Sequence, residues 1–279
     1  MDNKLGILAG GGELPGRLIQ ICRESGRPYH VIAIEGQADP KIIGACPHTW
    51  IRLGAAQKAL DVARQEQFDE VVMVGPVKRP SIFALRPDAL AARVLAKASA
   101  SSVMGDDGLL KAIIIQIEAF GFKVVGPDEI LGISVNIEGK LGYYGPDDVA
   151  MQDIRRGTLV LTALGPADVG QSVVIQDNIV IAIEAVEGTD AMIKRCGPLH
   201  REGLGGVLVK LPKPGQEKRA DLPTIGPQTI ENANKVGIRG IAIHANETLF
   251  VDRDKTIELA NSLGLFIFSF NPDKWRENA

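Results

Sequence analysis

Cysteine is scarce in this chain: Cys22, Cys46 and Cys196 are the only three among 279 residues, and no two form a C-x-x-C pair. Such spacing offers neither a zinc site nor a disulfide framework, and it fits a reducing cytoplasm. Charge of one sign is lacking too, the formal net charge being -3. No basic field or polybasic block exists to recruit nucleic acid or to pin the chain to a membrane by charge alone. Aromatic residues make up 5% of the chain. The longest apolar runs are strand-length and the N-terminus has no signal-like stretch, so a soluble protein is expected.

Catalytic signatures are missing as well. There is no G-x-S-x-G, no H-E-x-x-H and no P-loop ending in Lys-Ser/Thr. His30, His48, His200 and His244 are scattered, which excludes reading a His-rich dimetal centre. Any metal is then expected to take oxygen ligands, as Mg²⁺ or Mn²⁺ does.

What is present is a regular alternation. Apolar residues reach 45%, enough for a packed core in two ordinary domains or one large one. "KLGILAG", "YHVIAIEG", "EVVMVGPV" and "FKVVGP" read as strands; "ELPGRLIQICRES", "QKALDVARQEQ", "PDALAARVLAKASA" and "GDDGLLKAIIIQIEAFG" read as helices. Strands alternating with helices predict a parallel sheet covered on both faces. Residues 1–130 are thus expected to form a Rossmann-like domain, although the G-x-G-x-x-G fingerprint is absent.

The glycine-rich stretch 131–150 is expected to be a linker. Residues 151–279 then read as a second α/β domain. It opens on a helix, turns a hairpin at Asp177-Asn178, and continues through "GVLVKLPKP", "GIRGIAIHA" and "LGLFIFSF" with "PQTIENANKVG" and "DKTIELANSLG" between them.

Five motifs are candidates for chemistry. In "AGGGELP", Gly10, Gly11 and Gly12 precede Leu14 and Pro15. So much bare backbone suits a phosphate or nucleoside at a helix start, or else a tight, closely packed turn. "GPVKRP" puts Gly75, Lys78 and Arg79 at a strand's carboxyl end, where open α/β sheets bind ligands; a solvated pair of cations is the plainer account. Asp106 and Asp107 in "GDDGLL" precede a helix, a place for an N-cap or for a ligand to metal or ribose.

"VEGTDAMIKR" places Glu187 at a strand end, Gly188 in the turn, and Thr189 and Asp190 at a helix start suited to phosphate or Mg²⁺. Capping explains Thr189 and Asp190 but not Glu187. The densest polar stretch, "VKLPKPGQEKRADLPTIGPQTI", holds Lys213, Gln216, Lys218, Arg219, Asp221, Thr224 and Thr229. Loops of this length are usually functional or disordered, and the apolar "DLPTIG" argues for order. Asp221 between cations suits a hard divalent cation or a structural ion pair.

In their order and spacing, "GILAGGGELP", "GPVKRP", "GDDGLL", "AVEGTDAMIKR" and above all "KPGQEKRADLPTIGPQTI" resemble the LpxI family, over residues 4–272. These are the UDP-2,3-diacylglucosamine pyrophosphatases of bacterial lipid A synthesis. The resemblance implies an N-terminal Rossmann-like domain, a family-specific α/β second domain, and an interdomain cleft for the lipid. It implies that water attacks the phosphorus on the sugar side of UDP-2,3-diacylglucosamine, giving UMP and 2,3-diacylglucosamine 1-phosphate (lipid X), with Mg²⁺ or Mn²⁺ required. The family's essential aspartate lies in D-L-P-T-I-G, which places the role on Asp221, as metal ligand or orienter of the metal-bound water.

Around it, Asp190 is a second expected metal ligand, while Gly188, Thr189, Lys213, Gln216 and Thr224 would hold phosphates. Gly10, Gly11, Gly12, Leu14, Gly75, Lys78 and Arg79 would face the nucleotide or sugar phosphate. The low aromatic content suggests aliphatic walls for the acyl chains. The expected setting is the cytoplasmic side of the inner membrane, with transient surface contact, as a homodimer. A non-catalytic nucleotide-sugar or lipid-binding protein using the same cleft is the alternative; the missing fingerprint weakens a third, a Rossmann oxidoreductase.

Overall fold

Leu5, Ile7 and Ala9 have no exposed surface. Strand β1 (Leu5–Ala9) is a continuous apolar run because it lies inside a parallel sheet with both faces covered. On either side stand β2 (Tyr29–Ile34) and β4 (Glu70–Val74), and beyond them β3 (His48–Ile51) and β5 (Lys123–Val124). The order is β3-β2-β1-β4-β5, and each pairing is parallel. That is the Rossmann-like arrangement expected from the alternation.

The computed structural model describes residues 3–78, 85–100, 106–131 and 138–276. The first unit comprises residues 1–133 together with Glu217–Asp221; the second comprises 134–216 and 222–279. Helices α1 (Leu14–Ser25), α2 (Pro40–Ile43), α3 (Ala56–Gln65), α4 (Ala89–Ala100), α5 (Asp106–Ala119) and α6 (Pro127–Leu131) belong to the first unit. One of its core clusters joins Ile32, Ile51, Ala63, Phe68 and Val71. Gly6 is required there, since a Cβ would meet Phe68 Cδ2 at 2.2 Å.

The second unit is built on a mixed six-stranded sheet in the order β6-β13-β11-β9-β7-β8. Its strands are β6 (Gly139–Lys140), β7 (Ser172–Gln176), β8 (Ile179–Ile183), β9 (Gly206–Lys210), β11 (Ile238–His244) and β13 (Phe266–Phe270). The centre, β9, β11 and β13, is parallel, while β6 and the β7–β8 hairpin run antiparallel. A separate pair joins β10 (Thr224–Ile225) to β12 (Leu249–Phe250). The helices are α7 (Asp148–Leu164), α8 (Thr189–Cys196), α9 (Pro227–Lys235), α10 (Arg253–Ser262) and α11 (Asp273–Arg276).

Helix α7 lays Ala150, Ile154 and Leu161 over Val173, Ile175, Val207 and Val209. Gly157 permits that approach, because a Cβ there would sit 2.6 Å from Val209 Cγ2. The start of α7 at Asp148 and strand β6 both fall within the stretch 131–150 that reads as a linker. The hairpin turns where expected, with Asp177 at φ 53° and Asn178 at φ 62°, the two positive values of a type I′ turn.

Candidate functional site

In the first unit, the glycine turn and the Gly75 turn lie at the carboxyl ends of β1 and β4, where open α/β sheets place ligands. Here the two turns pack on each other. The Gly10 N–H donates to Val74 O at 2.8 Å and the Gly11 N–H to Pro76 O at 2.8 Å. A Cβ on Gly10 would meet Gly75 O at 2.5 Å, and one on Gly75 would meet Gly11 O at 2.2 Å. Two of the three glycine amides expected to face a phosphate are therefore engaged by backbone carbonyls. Leu14 is buried at the first position of α1. The Lys78 peptide is held by Gln37, whose side chain accepts its N–H at 2.9 Å and donates to its carbonyl at 3.2 Å. Arg79 lies outside the described residues.

The Asp221 segment also belongs to the first unit. The Asp221 and Ala220 N–H groups donate to Glu217 O at 3.0 and 3.1 Å, forming a turn. Its other end is held by α5, where Asp107 Oδ1 accepts the Glu217 N–H at 2.8 Å and Asp107 Oδ2 pairs with Lys111 at 2.6 Å. Arg219 grips Glu217 through Nε and Nη2, at 2.9 and 3.1 Å, and reaches Glu118 through Nη1 at 2.6 Å. The Arg219 guanidinium accordingly holds the Glu217 carboxyl below the usual carboxylate range. Asp221 itself is half-buried. Asp107 thus secures this segment, a role that its position before a helix does not reveal.

In the second unit, polar groups converge where β9 ends and α8 begins. Gly188, at φ 80°, precedes Thr189, the first residue of α8. Lys210, 5% exposed, donates from Nζ to Thr189 Oγ1 at 2.6 Å. Ser172 Oγ lies 3.3 Å from the same hydroxyl. Ser172 and Lys210 are register partners on β7 and β9, so their side chains share one face of the sheet. Asp190 Oδ1 accepts from Asn232 Nδ2 at 3.0 Å, and Asn232 Oδ1 accepts from Gln228 at 3.1 Å. Arg195 ties Glu187 Oε1 through Nε at 3.1 Å and Nη2 at 2.9 Å. A backbone N–H and then Arg195 lower the Glu187 carboxyl's pKa.

Sequence reasoning missed Lys210 and Ser172. Ser172 opens one strand run that reads as apolar core and Lys210 closes another, and only the cross-strand register brings them together. Lys213 is engaged in an ion pair with Asp168, and its N–H donates to Gln216 Oε1 at 2.8 Å. The buried Gln216 side chain continues to Gln171 Oε1 at 3.3 Å. Thr224 donates its hydroxyl to Leu222 O at 3.1 Å. Lys213, Gln216 and Thr224 therefore all shape their loop.

Among the described residues, no three or more His, Cys, Asp or Glu side chains group so as to hold a metal ion. The three cysteines are free and buried; burial pushes all three thiols up, Cys196 to about 11, which makes them poor nucleophiles. No described helix is long and apolar enough to cross a membrane.

These features define an α/β protein with two units, one on a parallel five-stranded sheet and one on a mixed six-stranded sheet. The model of the LpxI N-terminal domain matches residues 4–133, and that of the LpxI C-terminal domain matches residues 137–268. The chain is 38% identical over 277 residues to the UDP-2,3-diacylglucosamine pyrophosphatase LpxI of Caulobacter vibrioides, covering 97% of this chain and 99% of the relative. The chain belongs to the LpxI family.

Solved structures give fainter likenesses. The Bordetella bronchiseptica enzyme WbmG in complex with NAD is 17% identical at a TM-score of 0.29, over 44% of this chain and 36% of that one. The biotin carboxylase subunit of pyruvate carboxylase is 13% identical at 0.27, over 62% and 35%. Neither bears on the site.

Proposed function

We propose that this protein hydrolyses the pyrophosphate of UDP-2,3-diacylglucosamine, releasing UMP and 2,3-diacylglucosamine 1-phosphate for lipid A synthesis. The observation that carries the reading is the 38% identity with the Caulobacter pyrophosphatase over nearly the whole of both chains. The intact D-L-P-T-I-G sequence, with Asp221 in a turn held by Glu217, supports it.

Asp221 is the proposed catalytic carboxylate. Thr189, with Gly188 before it and Lys210 behind it, is proposed to bind phosphate oxygen; Lys213 and Gln216 keep the loop leading to Asp221 in shape. Sparse carboxylates do not make a protein-built cage, but they fit Mg²⁺ or Mn²⁺, which retain waters and share substrate phosphates. Asp221 and Asp190 are each proposed ligands. When bound, such an ion neutralises diphosphate charge, an effect worth several kcal/mol of barrier. The diacyl substrate implies work at the inner-membrane surface; association as a homodimer rests on the family resemblance alone.

Incubation of the purified protein with UDP-2,3-diacylglucosamine and Mg²⁺, with UMP measured as product, tests the reading. Wild type is expected to release UMP, and Asp221→Ala to keep its fold and lose turnover by about 100-fold or more. Substrate binding without turnover, across Mg²⁺ and Mn²⁺, would instead favour a nucleotide-sugar binding protein.

A further inference from the structure

Two buried side chains from neighbouring strands converge on one hydroxyl. Lys210 is 5% exposed and Ser172 fully buried, whereas Thr189, which both touch, is half-buried and reaches the surface. An ammonium group has three protons and no lone pair. Lys210 Nζ must therefore donate across the 2.6 Å to Thr189 Oγ1, and the threonine's own proton is left to point elsewhere. A hydroxyl that accepts a charge-assisted hydrogen bond becomes a stronger donor in turn.

We propose that Lys210 and Ser172 are positioning residues that aim the Thr189 hydroxyl proton at a phosphate oxygen. The inference rests on the function proposed above and adds a role for two residues outside the family-derived set. With Ser172 taken as the donor across its 3.3 Å contact, the half-exposed hydroxyl accepts from both buried groups and keeps its own proton for a ligand. The ligand chemistry is a phosphate monoester dianion, which the nucleotide product and the sugar 1-phosphate product both carry.

Calorimetric titrations with UMP and, separately, with 2,3-diacylglucosamine 1-phosphate test the idea. They compare wild type, Thr189→Val, Lys210→Met, Ser172→Ala and the two double variants that pair Thr189→Val with each of the others. Thr189→Val and Lys210→Met are expected to weaken one of the two ligands by about tenfold, and Ser172→Ala by about threefold. Each double variant should bind no more weakly than Thr189→Val alone, because the buried groups act through that hydroxyl. Thr189→Ser should recover most of the affinity that Thr189→Val loses. The ligand that responds identifies the phosphate seated there.

Losses that multiply in the double variants, or a Thr189→Val that binds both ligands as wild type does, would overturn the proposal. Should circular dichroism show Lys210→Met unfolded, the Ser172→Ala cycle alone decides between these outcomes. The activity assay separates the two readings. Coupled variants in a protein that releases no UMP uphold the hydroxyl's role and remove the hydrolase, while additive variants in an active hydrolase do the reverse.

Discussion

At Gly75 the backbone takes φ +88°, and an added Cβ would stand 2.2 Å from Gly11 O. Both facts exclude a side chain, one by conformation and one by collision with rigid backbone. Gly75→Ala is expected to destabilise the protein by about 3 kcal/mol or more, read as a fall in the urea midpoint at unchanged slope. Gly12→Ala, at φ +74° with its nearest neighbour at 3.5 Å, should cost about 1 kcal/mol. The triple glycine is legible in the sequence as a place for close approach. What approaches it is not, because its partner is a second turn, after β4, that only the parallel pairing of β1 with β4 brings alongside. Lys213 teaches the same lesson: its charge is visible in the sequence, its pairing with Asp168 is not.

Between elements, the tie of α7 to the β7–β8 hairpin depends on Asp153, which is 1% exposed. Its Oδ1 accepts the Asn178 N–H at 2.6 Å, while Oδ2 has no partner. Burial pushes this carboxyl up, against the lowering effect of the hairpin's N–H groups. A carboxyl whose folded pKa exceeds its unfolded value favours the fold fully below the unfolded pKa and loses that advantage as pH rises through the folded one. Asp153→Asn keeps an acceptor for the turn and removes the buried charge. It is expected to raise the urea midpoint at pH 7, by about 1 kcal/mol of stability, and to gain less at pH 4. A variant less stable than wild type at pH 7 would mean that the ionised carboxylate is needed.

The hairpin itself is legible, since Asp177-Asn178 between apolar runs calls for a type I′ turn. So are the longer helices, through their apolar period. Strands β3, β5, β6, β10 and β12 have four residues or fewer. They are too short to show a period, and of them only β5, in "FKVVGP", reads as a strand; the rest exist through pairing with distant partners.

Across the whole molecule, the second half of the sequence gives Glu217–Asp221 to the first unit. Asp221 is legible from its motif. The contacts that hold its turn, the Glu217 N–H with Asp107 and the Arg219 side chain with Glu118, join groups about a hundred residues apart and leave no local signature. Glu217→Gln keeps the size of the side chain but weakens the two-point grip of Arg219. Its expected effect is a roughly tenfold fall in kcat for UMP release, with KM within about twofold and little change in the urea midpoint. Because the Glu217 carboxyl lies below its ordinary range, its contribution to the fold is present above the unfolded pKa and is lost as pH falls through the folded one. The advantage of wild type over the variant in turnover should accordingly shrink as pH falls through that folded pKa, because the glutamine has no charge to lose.

That five-residue excursion also governs how the gene can be dissected. A fragment ending at residue 133 would lack Glu217–Asp221 altogether, and one starting at residue 134 would carry Asp221 without the Asp107 and Glu118 that secure its turn. The gap between the two family matches, from 133 to 137, invites a cut. Neither product of that cut is expected to release UMP.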